Sequence, residues 1–392
     1  MAIFSTGARI STLFVTSLTT YGVQVPFFPV LLADRGLGEK EIAVVVAAPM
    51  LLRVTTVSAL GAYADRIGDR RRVLVAYTGL ALLGCLCLAP ARGFPALLAA
   101  TIAMALFANA CLPVIDAAAT SATRRGEAVY GRMRAWGSAA YILANLGAGW
   151  AIGLWGAGVV YPLLLATFVL QFAAAPLAPR DAPVPPSEGP SPTGPRPSLW
   201  SGVAELLTDR RLVILLLGAA LVQASHAMLY GFGSLYWASI GFGGSEIGVL
   251  WAVSVVGEVI LFTVADRVIG RIGARGLLFV GGLGAISRWC LFPLLGDSGL
   301  AWTLSQSMHA ASFAATHLGT MHVVTHAVGD GRAATAQGLT VTISGLAMAI
   351  STLASGPIYG RFGGAGFLAM AVVAAAGTLV LVATLGLRRE RA

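Results

Sequence analysis

Four ionisable side chains, Arg53, Glu258, Arg288 and His309, stand deep inside otherwise apolar runs of this sequence. An ionisable group in hydrocarbon costs at least about 2.5–3.5 kcal/mol, so each one kept there points to a partner or a task. At about 1.5 Å per helical residue, all four lie roughly 12–18 Å from a membrane face, near mid-bilayer. Glu258 can take up a proton, Arg288 is a permanent cation, and His309 can change charge near neutral pH. Together they are expected to form a protonation switch. His317 follows His309 by two helical turns on nearly the same face and is expected to extend the relay. The alternative is an inert ion-pair network that only ties helices together. Of the other histidines, His226 stands alone in its run, and His322 and His326 approach a loop. These spacings do not bring three imidazoles together, so no metal is expected. No nucleophile–base constellation is evident, so neither an enzyme nor a cofactor is expected.

These groups need elements that hold them at that depth. The chain has 392 residues, is 57% hydrophobic and only 11% charged, with mean hydropathy +0.81. A soluble surface carries roughly a quarter charged residues, so most of this surface must meet lipid. The apolar runs are about 20 residues long, matching a hydrocarbon core of about 30 Å, and alternate too little for barrel strands. The expected fold is therefore an all-α membrane protein of twelve transmembrane helices. The spans are 8–33, 41–63, 73–90, 94–118, 135–155, 158–178, 211–237, 246–265, 276–295, 299–324, 336–358 and 366–387.

The chain repeats itself. Gly61-Ala-Tyr-Ala-Asp65-Arg66-Ile-Gly68-Asp69-Arg70-Arg71-Arg72 lies between two spans, and Asp266-Arg267 with Arg271, Gly273 and Arg275 forms a worn second copy. Gly36-Leu37 and Glu41-Ile42 recur as Gly241-Phe242 and Glu246-Ile247, at an offset of 205 residues that also relates Arg53 to Glu258. A duplicated bundle implies two pseudo-symmetric six-helix halves, residues 1–178 and 211–392. The connector 179–210 carries eight prolines between Pro179 and Pro197 and reads as a cytoplasmic tether, with a short interfacial helix over 199–207.

The net charge of +9 raises nucleic acid as a partner, but its distribution argues against one. Alternate loops hold 19 of the 26 lysines and arginines, and the remaining loops hold four. That bias sets topology: both termini cytoplasmic in a plasma (inner) membrane, with anionic lipid as partner. All four cysteines fall inside spans and read as packing residues.

The loop Gly61-x-x-x-Asp65-Arg66-x-Gly68-x-Arg70-Arg71 resembles the signature between the second and third helices of the major facilitator superfamily. A finer resemblance is to its lactose permease and 3-phenylpropionate transporter group. It is carried by Pro113-Val-Ile-Asp116, Tyr130-Gly-Arg-Met-Arg134-Ala-Trp-Gly137, Gly257-Glu258, Arg288 and His309. Pro26-Phe-Phe-Pro29, Pro49-x-x-x-Arg53 and the His309/His317 pair look closer to the phenylpropionate branch. Ser312 stands where the sugar-transporting branch has a carboxylate, and Tyr141 where it has a tryptophan.

The resemblance implies a substrate contact at Asp116 and Arg134, and a gating role for Gly61, Asp65, Arg66, Gly68 and Arg70 with their counterparts Asp266 and Arg267. Arg134 offers a fork suited to a carboxylate or hydroxyl, and Arg53 adds a second cation. Tyr21 and Tyr141 are aromatic surfaces near the same level. The expectation is a monomeric secondary transporter that couples protons to symport of a small organic solute, an aromatic carboxylate first. A sugar or nucleoside symporter, a drug or metabolite exporter, and a non-transporting receptor are the alternatives.

Overall fold

The computed structural model describes residues 5–179, 199–327 and 333–386. Most of the proline-rich tether and the arginines at 180, 196, 332, 388, 389 and 391 lie outside them. Among the described residues there is no strand, and every expected span is helical. The helices are α1 Thr6–Asp34, α2 Glu39–Ile67, α3 Arg70–Cys87, α4 Gly93–Arg124, α5 Tyr130–Trp155, α6 Val160–Ala174, α7 Leu199–Thr208, α8 Arg210–Ala224, α9 Ala227–Ser239, α10 Gly244–Thr263, α11 Ala265–Leu291, α12 Gly299–Ser307, α13 Ala315–Ala327, α14 Ala333–Phe362 and α15 Phe367–Gly386. Among the described residues, seven helical stretches are long and apolar enough to cross a membrane by length and composition.

Two of the expected spans are interrupted. The seventh breaks at Ser225 and His226, between α8 and α9. The tenth passes from α12 through Met308 and His309 into a π-turn, Ala310–Ala314, before α13 begins. Short helix α7 coincides with the stretch expected after the tether, and Asp209 caps the next helix by accepting from the Leu212 amide.

The described residues cluster into two compact units, residues 1–182 with 229–255 and residues 183–228 with 256–392. In the first, α1 lies on α5, α6 and α4, while α3 and α2 both pack on α4. Its core joins Ile10, Leu13 and Phe14 to Leu74, Tyr77, Cys111, Ile115 and Met133. In the second, α11 packs on α13, the π-turn and α15, and α8 packs on α14 and α15. In lipid such contacts gain little from apolar burial and rely on close side-chain packing.

The charged turn near residue 65 is shorter than the sequence suggests. Gly61, Asp65 and Arg66 belong to the last two turns of α2 rather than to a loop, and the Asp65 side chain lies outside the described residues. Gly68 takes a left-handed conformation (φ 66°) that ends α2, which glycine does without steric cost. Asp69 then caps α3, accepting from the Arg72 amide at 3.1 Å and pairing with the Arg72 side chain. Asp266 sits in the first turn of α11 with Arg267 beside it, both exposed, and Gly273 (φ 70°) kinks that helix.

Candidate functional site

Glu258, Arg288 and His309 meet in the second unit. His309 Nε2 lies 2.9 Å from Glu258 Oε1. Arg288 Nη1 lies 2.8 Å from His309 Nδ1, and Arg288 Nη2 donates to Gln306 Oε1 at 2.7 Å. Arg288 is fully buried, and its guanidinium also stands over the rings of Trp289 (4.7 Å) and Phe292 (5.7 Å). The helices can approach this closely because small residues line the crossings. A Cβ on Gly257 would meet Ala310 Cβ and Ser307 O at 3.3 Å, and one on Gly284 would meet Ala311 Cβ at 3.3 Å.

The donor and acceptor inventory fixes the proton on His309. A guanidinium only donates, so Nδ1 must accept, and the imidazole proton therefore sits on Nε2 and is given to Glu258. The row reads carboxylate, neutral imidazole, guanidinium. A proton arriving on Nδ1 would face the Arg288 N–H groups, so His309 cannot be charged without losing Arg288. Of the three groups in the row, Glu258 is the carboxylate, which can take up a proton.

A second imidazole joins the cluster, which the sequence had left alone. His226 packs edge-on against His309, ring centroids 5.2 Å apart. Its Nδ1 faces the Gln223 carbonyl at 3.2 Å, so that nitrogen carries the proton, and Nε2 accepts from Ser312 Oγ at 3.0 Å. The two buried histidines are thus opposite tautomers. Nitrogen-15 solid-state NMR of histidine-labelled protein, with the His226 and His309 signals assigned by replacing each residue in turn, should show a neutral Nδ1–H imidazole for His226 and a neutral Nε2–H imidazole for His309; the same tautomer at both positions would contradict the assignment.

His317 does not join this row. It is exposed on α13, edge-on to Phe262 at 6.4 Å. Gln306, His226 and Ser312 are the participants that spacing alone missed.

In the first unit, Tyr130 Oη donates to Asp116 Oδ1 at 3.0 Å. Among the described residues no ion pair joins Asp116 to Arg134. Arg134 instead stands over the Phe14 ring at 5.7 Å, with Ser138 Oγ within 3.5 Å, and Phe14 is edge-on to Tyr130 at 6.3 Å. In the loop before α5, Arg125 forks onto Glu127 and holds that carboxyl below the usual carboxylate range. Tyr141 is half-buried on α5, and Gly22 lets α1 lie against its backbone. Tyr21 is half-buried on α1, and Arg53 is exposed on α2. No cluster of three or more His, Cys, Asp or Glu that could hold a metal occurs among the described residues.

Residues 9–369 match the model of the MFS_1 like family. The chain belongs to that family. It is 29% identical over 324 residues to the probable 3-phenylpropionic acid transporter of Escherichia coli (strain K12), covering 79% of this chain and 80% of the relative. It is 23% identical over 273 residues to the maltose permease of Geobacillus stearothermophilus, covering 69% and 67%. The fold matches that of the nucleoside transporter NupG with a TM-score of 0.86 at 14% identity, over 98% of this chain and 100% of that one. It matches an auto-inhibited POT family peptide transporter with a TM-score of 0.73 at 14% identity, over 99% and 97%. This MFS_1 like chain is thus a secondary transporter of the major facilitator type and an integral, multi-pass membrane protein. The signature at Gly61–Arg71 and the buried charges marked that membership from the sequence.

Proposed function

We propose that this protein is a proton-coupled symporter importing a small organic solute, an aromatic carboxylate first, by alternating access. Its twelve helices cross the inner membrane as two six-helix bundles, residues 1–178 and 211–392, with both termini in the cytoplasm. The observation that carries the reading is the row Glu258–His309–Arg288–Gln306, half-buried at Glu258 and buried from His309 onward. A row of this kind is costly in a membrane, and it ends on one group that can gain and lose a proton.

The substrate site is proposed around Asp116, Arg134, Tyr141, Tyr21 and Arg53, with Tyr130 added. Arg134 supplies two parallel donors for a carboxylate, and Tyr130, exposed and bonded to Asp116, supplies an aromatic face beside it. A carboxylate joined to a phenyl group fits that pairing, and the Escherichia coli relative is named for such an acid. A sugar is the second reading, supported by the maltose permease relative.

Proteoliposomes with an imposed pH gradient test this directly. 3-Phenylpropionate should accumulate inside when the outside is acidic, with protons entering alongside it; maltose and a nucleoside serve as comparison solutes. Efflux driven by the inward proton gradient would make the protein an exporter. Ligand binding without flux would make it a receptor.

A further inference from the structure

The mechanism proposed above uses Glu258, His309 and Arg288 but leaves the π-turn and the break between α8 and α9 without a role. These two irregularities meet. Ser312, inside the π-turn, donates to His226 Nε2 at 3.0 Å, and Gln223 Nε2 donates to the Phe313 carbonyl at 3.4 Å. Adjacent residues of the break thereby hold the neighbours of both relay groups. Ser225 Oγ accepts the indole N–H of Trp289, next to Arg288, at 2.9 Å. His226 takes the hydroxyl three residues after His309.

A π-turn carries one residue more than an α-turn and is found mostly at functional sites. Left to relax into α-helix, it would rotate His309 by about 100° relative to α13. Within its own helix the bulge is supported by Thr316 Oγ1, which donates to the Ser312 carbonyl at 2.8 Å. The ties from outside that helix come from Gln223 and His226. Phe313, also in the bulge, stacks on the His309 ring at 5.1 Å and 11°, so the bulge and the imidazole move together. A leucine at 226 could fill the volume but could not accept the Ser312 hydroxyl. Facing the His226 ring are Ser312, the Gln223 carbonyl, Trp289 at 5.0 Å, His309 at 5.2 Å and Phe313 at 5.4 Å, with Arg288 as the nearby charge.

We infer that His226 is a positioning residue. By accepting the Ser312 hydroxyl it keeps the π-turn formed, which aims His309 Nδ1 at Arg288 and Nε2 at Glu258. This rests on the proton-switch reading for its functional consequence, but not for its structural one.

The test compares Ser312→Ala with Ser312→Thr in the full-length protein, alongside His226→Leu and Glu258→Gln. Ser312→Ala removes the hydroxyl with little change of volume, and Ser312→Thr keeps it. The first readout is the nitrogen-15 signature of His309. Ser312→Ala and His226→Leu should replace the fixed Nε2–H form with a mixture of tautomers, while Ser312→Thr keeps the native signal. The second readout is accumulation of 3-phenylpropionate under a pH gradient, which should fall at least about tenfold in Ser312→Ala and be restored in Ser312→Thr. A native His309 signal in both Ser312→Ala and His226→Leu would overturn the inference. If instead Glu258→Gln accumulates substrate normally, the proton-switch reading is wrong, and the His309 signal still decides whether His226 holds the turn.

Discussion

Glu258→Gln is expected to leave the protein folded and able to exchange substrate across the membrane, while abolishing accumulation against a gradient. The amide keeps an oxygen where Glu258 Oε1 now accepts from His309 Nε2, so the hydrogen bond at 2.9 Å survives. What is lost is the ability to ionise. A glutamine imitates the protonated carboxyl permanently, so movement of the loaded protein needs no proton, and none is carried. The row also loses the negative charge that balances the buried Arg288, and in a low-dielectric site an unbalanced cation is unfavourable. A lower unfolding temperature should therefore accompany the loss of coupling. The measurement is paired: counterflow of labelled substrate at equal concentrations, and uphill uptake under an inward proton gradient. Retained uphill uptake would move the switch to another group.

The fold and part of this site were legible from residue types alone. Span positions followed from apolar runs of membrane length, because in lipid the backbone must satisfy itself within each segment. Glu258, Arg288 and His309 stood out for the same reason in reverse, since charge is expensive there. His226 did not, because its partner Ser312 lies 86 residues away and neither residue is charged. A signal was nonetheless present: Gln223, Ser225 and His226 place three polar residues within four positions of an apolar span, where the helix breaks. The π-turn could not be read, because Ala310-Ala-Ser-Phe-Ala314 suits an α-helix equally well and the bulge is held from other helices. Helical periodicity puts His317 on the face of His309, but the π-turn lies between them and adds a residue to the register, so spacing alone does not place it. Asp69 shows the converse. It reads as one more charge of a repeated turn, and the N-cap of α3 gives it a local use.

The other large effect is expected where α5 crosses the start of α10, inside the first unit. Gly149 and Gly153 on α5 meet Gly244 and Gly248 on α10 backbone to backbone. A Cβ on Gly248 would lie 2.6 Å from the Asn145 carbonyl oxygen, and one on Gly244 would lie 2.8 Å from the Gly153 nitrogen. The obstructing atoms are main chain and cannot swing aside, so Gly248→Val must push the helices apart. Overpacking of this kind costs typically about 1–3 kcal/mol. The crossing also contains a group that opposes its closure: Asn145 is fully buried, and among the described residues neither its Nδ2 nor its Oδ1 has a partner. Leaving a buried donor or acceptor unmet costs about 1–3 kcal/mol, so Asn145→Leu should shift stability in the opposite direction. A polar side chain between membrane helices usually ties them together, and its removal would then lower stability. Here removal should raise the unfolding temperature in detergent while Gly248→Val lowers it. Both should slow transport, the valine by preventing the crossing from closing and the leucine by making it costly to reopen. If Asn145→Leu unfolds at a lower temperature than the parent protein, the amide is bonded in the membrane, and the glycines alone govern this crossing.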